Sequence, residues 1–244
     1  MKAMIMAAGK GTRLGLITDS LPKVLVDING KSVLERAVEK CSLHGFDEII
    51  VNVHHFAGQV IAETERLKRL GYKLAVSDES ERLLETGGGL YNARRFFDNE
   101  PFLLYNADII TDLDLNQLLN YHYEKKGIAT LAVRHRKGNR YFLAGGDGIL
   151  SGWCNKATGE EIIKRPGNNL YEVAFSGIHI IEPEIFNYMS DGIYSMTSVY
   201  LDIAASHRIY TRLYDEGYWF DMGTPEMLES ARDYLRNAYF KSES

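Results

Sequence analysis

Two aspartates stand where an apolar run gives out: Asp108 in LLYNADI and Asp221 in GYWFDMGTPEML. A carboxylate among such neighbours is costly unless it is paired or holds a metal. Two of them suit Mg2+, which takes one or two protein carboxylates and completes its shell with water and phosphate oxygens. A loop that suits phosphate lies near the start. AAGKGTRLG (7–15) follows the first apolar run; Gly9 and Gly11 let backbone N–H groups turn toward an anion, and Lys10 and Arg13 add charge. Its spacing is neither that of a P-loop nor that of a dinucleotide fingerprint. Lys23, in LPKVLVDING, follows Pro22, which pins the chain, so its ammonium is held in a defined place. Each feature has an ordinary structural reading: a tight turn, a solvated lysine, a strand-end turn former, a helix-leading cap. Together they point to a polyphosphate and its metal.

The elements that must position these groups alternate. Residues 2–8 read as a central strand, 32–44 as a helix with Ser32 as N-cap and Gly45 as stop, and 48–55 as a second strand. A helix over 57–71, strands over 73–77 and 101–108, and a helix over 88–97 between them complete the first half. Such alternation predicts an α/β fold, Rossmann-like and three-layered (α/β/α), around a mixed, mostly parallel sheet. Ligands bind beyond the carboxyl ends of its strands, where Asp108 falls. After residue 127 hairpin-like strands follow (GIATLAVRH, RYFLAGGDGILSGW, YEVAFSGIHII), then helices over 197–207 and 224–240. We read one domain over 1–244, with 1–126 and 127–244 as its halves and the second adding strands to the same sheet. LETGGG (84–89) places three glycines before a helix, which weakens local structure unless something approaches the backbone closely.

Composition excludes several classes. With 45% hydrophobic residues the 244-residue chain can build a large core, and a net charge of −5 without basic runs argues against nucleic acid. Cys41 and Cys154 have no metal-ligand spacing and read as reduced thiols, so zinc is not expected. The opening MKAMIMAAGKG is too short an apolar run for a signal peptide, and no segment reaches membrane-spanning length, so a cytoplasmic protein is expected. His54 and His55 are adjacent and face opposite ways if in a strand, which disfavours a metal pair. Trp153 could stack on a sugar or serve a subunit contact, with ordinary packing the simpler reading.

The ordered set AAGKGTRL, PKVLVDING, LETGGG, NAD and WFDMGTP resembles the sugar-1-phosphate nucleotidyltransferase family over nearly the whole chain. LETGGG together with VNVHH is most like the bacterial N-acetylmuramate 1-phosphate uridylyltransferases. The resemblance implies that Ala8, Gly9, Gly11, Thr12 and Arg13 cradle the nucleotide phosphates, and that Lys23 meets the α-phosphate and the incoming sugar phosphate. It also implies Asp108 and Asp221 on Mg2+, Gly87 and Gly88 against the base, and Asn106 on the sugar or ribose. Where relatives carry Glu-Lys-Pro before a glycine-containing strand, this chain has IIKRPGNN and then FSGIHI. Either Lys164 or Arg165 can fill the lysine's place, with Gly177 in the strand that follows. Arg140 reads equally as a cation for an acidic substrate group or as a surface arginine. The resemblance makes 1–126 the nucleotide-binding half and 127–244 the sugar-binding half.

The implied activity is Mg2+-dependent transfer of a nucleotidyl group from an NTP, UTP first, to a sugar 1-phosphate, N-acetylmuramate 1-phosphate first, with Arg13 and Lys23 as catalytic cations. Guanylyl transfer to mannose or heptose 1-phosphate, cytidylyl transfer, and a non-catalytic nucleotide-sugar sensor are the alternatives. A monomer or small homo-oligomer is expected. The role of Glu85, as a helix cap or in base choice, stays open.

Overall fold

The structure is a computed structural model that describes residues 1–9, 11, 14–15, 18–167 and 169–242. Among them the strands are β1 (Lys2–Met6), β2 (Asp27–Ile28), β3 (Lys31–Ser32), β4 (Glu48–Val53), β5 (Lys73–Asp78), β6 (Phe102–Asn106) and β7 (Ile109–Thr111). The rest are β8 (Ala129–Arg134), β9 (Arg140–Ala144), β10 (Leu150–Asn155), β11 (Glu160–Ile163), β12 (Tyr171–Ile181), β13 (Ile209–Leu213) and β14 (Trp219–Asp221). The α-helices are α1 (Val33–Leu43), α2 (Ala57–Arg69), α3 (Glu85–Asn92), α4 (Leu115–Lys125), α5 (Met196–Ile203) and α6 (Pro225–Ser242). The chain divides into two compact units, and β6 crosses the division, with its first three residues in the second unit and its last two in the first.

The first unit comprises Met1–Leu83, Tyr105–Leu113 and Gly217–Ser244. Its strands β1, β4 and β5 pair in parallel, Met6 opposite Asn52 and Asn52 opposite Ser77, and the end of β6 lies beside β1. Parallel strands need crossovers, which α1 and α2 supply. Ser32 caps α1 as its sequence predicts: its hydroxyl accepts from Glu35 N at 3.0 Å. Ala3, Met4, Ile5, Val51 and Val53 are fully buried, as expected where both faces of a parallel sheet are covered. A smaller core of Val26, Ile28, Val33, Ile110, Met222, Leu228 and Ala231 joins the segment after Lys23 to the segment after Asp221.

The second unit comprises Leu84–Leu104 and Asp114–Glu216. Strand β8 pairs in parallel with β13 and antiparallel with β12, and β12 continues through β9 and β10 to β11 as an antiparallel meander. The register of β12 shifts between Phe175 and His179, around Gly177 at φ +83°. Phe97, Phe102 and Phe186 stack with centroids 4.0–5.9 Å apart.

The α/β class with a mixed central sheet is the one expected. Several elements differ from the sequence reading, among them strands β2, β3, β7, β11 and β13, which have no counterpart in it. The helix expected at 88–97 begins at Glu85, so LETGGG lies mostly inside it, and α4 has no counterpart among the elements read from sequence. Asp114 caps α4 through Asn116 N at 2.8 Å and Gln117 N at 3.3 Å. No helix among the described residues is long and apolar enough to cross a membrane.

Candidate active site

The site of the first unit is built on Lys23. Pro22, at φ −57° and ψ 140°, leads into a single 3-10 turn over Lys23–Leu25, and Leu25 N donates to Pro22 O at 2.8 Å. That turn lays the lysine stem against the glycine loop. A Cβ on Gly11 would come within 2.9 Å of Lys23 Cβ, and Gly11 sits at φ +66°, a conformation that favours glycine. Thr18 fastens the loop as well, its hydroxyl donating to Gly11 O at 3.2 Å and Gly15 O at 3.1 Å. Lys23 is thereby 7% exposed, rare for a lysine unless paired.

Its partners are the two predicted aspartates. Lys23 Nζ donates to Asp108 Oδ2 and lies 3.5 Å from Asp221 Oδ1. The second contact attracts but is not a hydrogen bond, for Asp221 Oδ1 is buried with no hydrogen-bond partner among the described residues. The backbone brings the acids together: β14 pairs antiparallel with β7, Asp221 opposite Ile109, and Met222 N donates to Asp108 O at 2.9 Å. The buried Tyr105 spans the same turn, its hydroxyl donating to Ile109 O at 2.9 Å, and burial raises its pKa well above the usual range. An orphaned carboxylate oxygen beside a second carboxylate is a donor set that fits a hard divalent cation. No group of three or more His, Cys, Asp or Glu among the described residues could cage a metal, so substrate oxygens and water would have to supply its remaining ligands.

Gly9 behaves unlike Gly11. It is exposed, its φ is not positive, and a Cβ there meets nothing within 4 Å among the described residues. Among the described residues nothing requires glycine at this position. Ala8 is 5% exposed beside it, and Asn106, at the end of β6, is half-buried. The expectations placed on Lys10, Thr12 and Arg13 lie outside the described residues.

In the second unit LETGGG has a visible partner. Gly87 N and Gly88 N both donate to Tyr194 O, at 2.8 and 3.2 Å, and Thr86 Oγ1 accepts from Met196 N at 2.9 Å. A Cβ on Gly87 would lie 2.5 Å from the Tyr194 ring, and one on Gly88 would lie 2.1 Å from Gly192 O. This close approach explains two bare helical positions, and it takes up the amides for which the sequence reading had a base in mind. Glu85 stands exposed at the head of the helix with φ +60°.

The remaining predicted residues also belong to this unit. Arg165 is engaged: its guanidinium donates to Ala204 O at 3.1 Å and His207 O at 3.2 Å, satisfying carbonyls that follow α5. Lys164 and Arg140 are exposed, Trp153 is half-buried, and Gly177 serves the bend in β12.

Sequence reasoning missed Asn52 and Glu79. Asn52, fully buried, accepts from Ala7 N at 2.7 Å and donates to Glu79 Oε1 at 2.8 Å. The available signal was one polar residue inside the apolar strand EIIVNV.

The chain belongs to the nucleotidyl transferase family, whose profile matches residues 2–237. Its motifs place it with the sugar-1-phosphate nucleotidyltransferases of that family, as the resemblance implied. It is similar to the UTP–glucose-1-phosphate uridylyltransferase of Synechocystis, 34% identical over 207 residues; the match covers 79% of this chain and only 52% of that relative. It is also similar to the N-acetylmuramate alpha-1-phosphate uridylyltransferase of Caulobacter vibrioides, 29% identical and covering 97% of each chain. Among solved structures, HddC from Yersinia pseudotuberculosis complexed with GMP-PN shares the fold, with a TM-score of 0.78 at 22% identity over 96% of this chain and 99% of that one.

Proposed function

We propose that this enzyme joins the nucleotidyl group of UTP to N-acetylmuramate 1-phosphate and releases pyrophosphate, with Mg2+ as its metal. The observation that carries the reading is the cluster of Lys23, Asp108 and Asp221 against the glycine loop, with one carboxylate oxygen left without a hydrogen-bond partner among the described residues. The choice of donor and acceptor rests on near full-length similarity to an N-acetylmuramate alpha-1-phosphate uridylyltransferase.

The chemistry follows from charge. The sugar phosphate oxygen is already an anion, so it attacks the α-phosphorus without a general base. A new P–O bond forms as the bond to the β-phosphate breaks, and the electron pair leaves with pyrophosphate. The difficulty is repulsion between two polyanions, which preorganised cations relieve. Mg2+ held by Asp108 and Asp221 would neutralise phosphate charge. Lys23, the buried cation beside them, supplies a fixed positive charge, and its ammonium reaches the phosphates by leaving Asp108. Backbone N–H groups at Gly9 and Gly11 hold phosphate oxygens, and Gly9 leaves room for them. Arg13 is a second catalytic cation in this reading, and Asn106 stays with the sugar or ribose.

Thermal unfolding with UTP, GTP, CTP and dTTP, each with Mg2+, tests the donor. A ligand at a hundred times its Kd stabilises by about 2.7 kcal/mol, roughly a 5–10 °C rise for a chain of this size. UTP should give the largest rise. A larger rise with GTP would move the assignment to guanylyl transfer.

A further inference from the structure

We infer that Asn52 is a positioning residue for the nucleotide loop, holding its first amide in place through a donor–acceptor relay that runs on to Glu79; the inference rests on the nucleotidyl-transfer reading for the loop's role. Asn52 lies in the middle strand of three, opposite Met6 in β1 and Ser77 in β5, where the strands deliver the loop. It is fully buried, and Glu79 is 4% exposed. A buried amide is retained when both its ends are satisfied, and here they are. Ala7 N is a donor, so it fixes the carboxamide oxygen toward β1; Glu79 is an acceptor, so it fixes the amino group toward the end of β5. Glu79 is itself anchored, its N–H donating to Val53 O at 2.8 Å. Ala7 is the first residue after β1, two before Gly9, so the relay sets where the glycine loop departs from the sheet. Asn52 acts on substrate only through that loop.

The polarity of the relay supplies the test. Asn52→Asp keeps an acceptor for Ala7 but turns a donor toward Glu79 into a second buried carboxylate. Adding Glu79→Gln restores one donor and one acceptor with the net charge unchanged. Glu79→Gln alone keeps an acceptor for the Asn52 amino group and is the reference for the double variant. Two readouts are taken on the full chain: the Kd for UTP with Mg2+, and hydrogen exchange at the Ala7 and Ala8 amides. Asn52→Asp should weaken UTP at least about tenfold, the worth of one lost hydrogen bond to a charged group, and should speed exchange at Ala7. The double variant should return UTP affinity to within about threefold of Glu79→Gln, and the exchange with it. If Asn52→Asp does not fold, the double variant against Glu79→Gln decides. A folded Asn52→Asp chain with wild-type UTP affinity, or a double variant that regains neither readout, overturns the inference. If the unaltered chain binds no nucleoside triphosphate, the functional reading fails, and exchange at Ala7 decides by itself: unchanged exchange in Asn52→Asp overturns the relay.

Discussion

Replacing Lys23 with methionine keeps most of the stem and removes the charge. Lys23 Nζ is hydrogen-bonded to Asp108 and 3.5 Å from Asp221 Oδ1. At an effective dielectric near 20, unit charges at that separation attract by about 5 kcal/mol before desolvation is counted. Removing one partner of a buried pair costs about 3–5 kcal/mol. The aspartate side chains are 29% and 31% exposed, so water screens part of the loss. A cost of about 2–3 kcal/mol follows, or a fall in Tm of roughly 5–10 °C for this length. The variant leaves two carboxylates without their ammonium, and a divalent cation no longer has a competitor for them. Millimolar Mg2+ should therefore raise the Tm of Lys23→Met by more than it raises that of the unaltered chain. Thermal unfolding of both chains with and without Mg2+ checks this. A variant as stable as the parent, or one indifferent to Mg2+, refutes the charge argument.

Three further outcomes follow from the geometry. Gly9→Ala should leave stability within about 0.5 kcal/mol, as for a surface change, while weakening UTP binding at least about tenfold; equal UTP affinity by calorimetry would show that no phosphate approaches this position. Gly88→Ala should destabilise by about 3 kcal/mol or more in urea unfolding, because its Cβ would meet a backbone oxygen at 2.1 Å; the better helix propensity of alanine, about 1 kcal/mol, does not offset that. His179 is buried against Phe175 and bonded to the Tyr200 hydroxyl, and burial lowers its pKa to about 3 from an ordinary 6.5. The unfolded chain binds this proton first, so the stability it contributes is full above pH 6.5 and is lost as pH falls toward 3, by about 2 kcal/mol at pH 5. Urea unfolding at pH 7.5 and pH 5 should show that slope, and His179→Leu should flatten it.

The charged members of the site were legible because Asp108 and Asp221 interrupt apolar runs and Lys23 follows a proline. Their meeting was not, because it depends on the pairing of β14 with β7, and nothing local in either strand names the other. LETGGG announced a close approach correctly, but glycines do not say what approaches. The structure puts the 192–194 segment there, and its carbonyl explains how a helix can begin within such weak helix formers. Asn52 was hidden for a related reason: a single polar residue in a strand faces solvent or core depending on a register that only the neighbouring strands fix. Helix α4 was legible and missed. Asp114 precedes Leu115, Leu118, Leu119 and His122, an N-cap followed by helical spacing of buried residues.

Nucleotidyl transfer itself is most directly tested by following the α-phosphate. The full chain is incubated with α-labelled UTP, N-acetylmuramate 1-phosphate and Mg2+, alongside the same mixture with Asp108→Asn. The account predicts label in a UDP-sugar and an equal amount of pyrophosphate, with both lost in the variant or when Mg2+ is chelated. Label that stays in UTP with this and every other sugar 1-phosphate tried, under any of the four nucleotides, would contradict it.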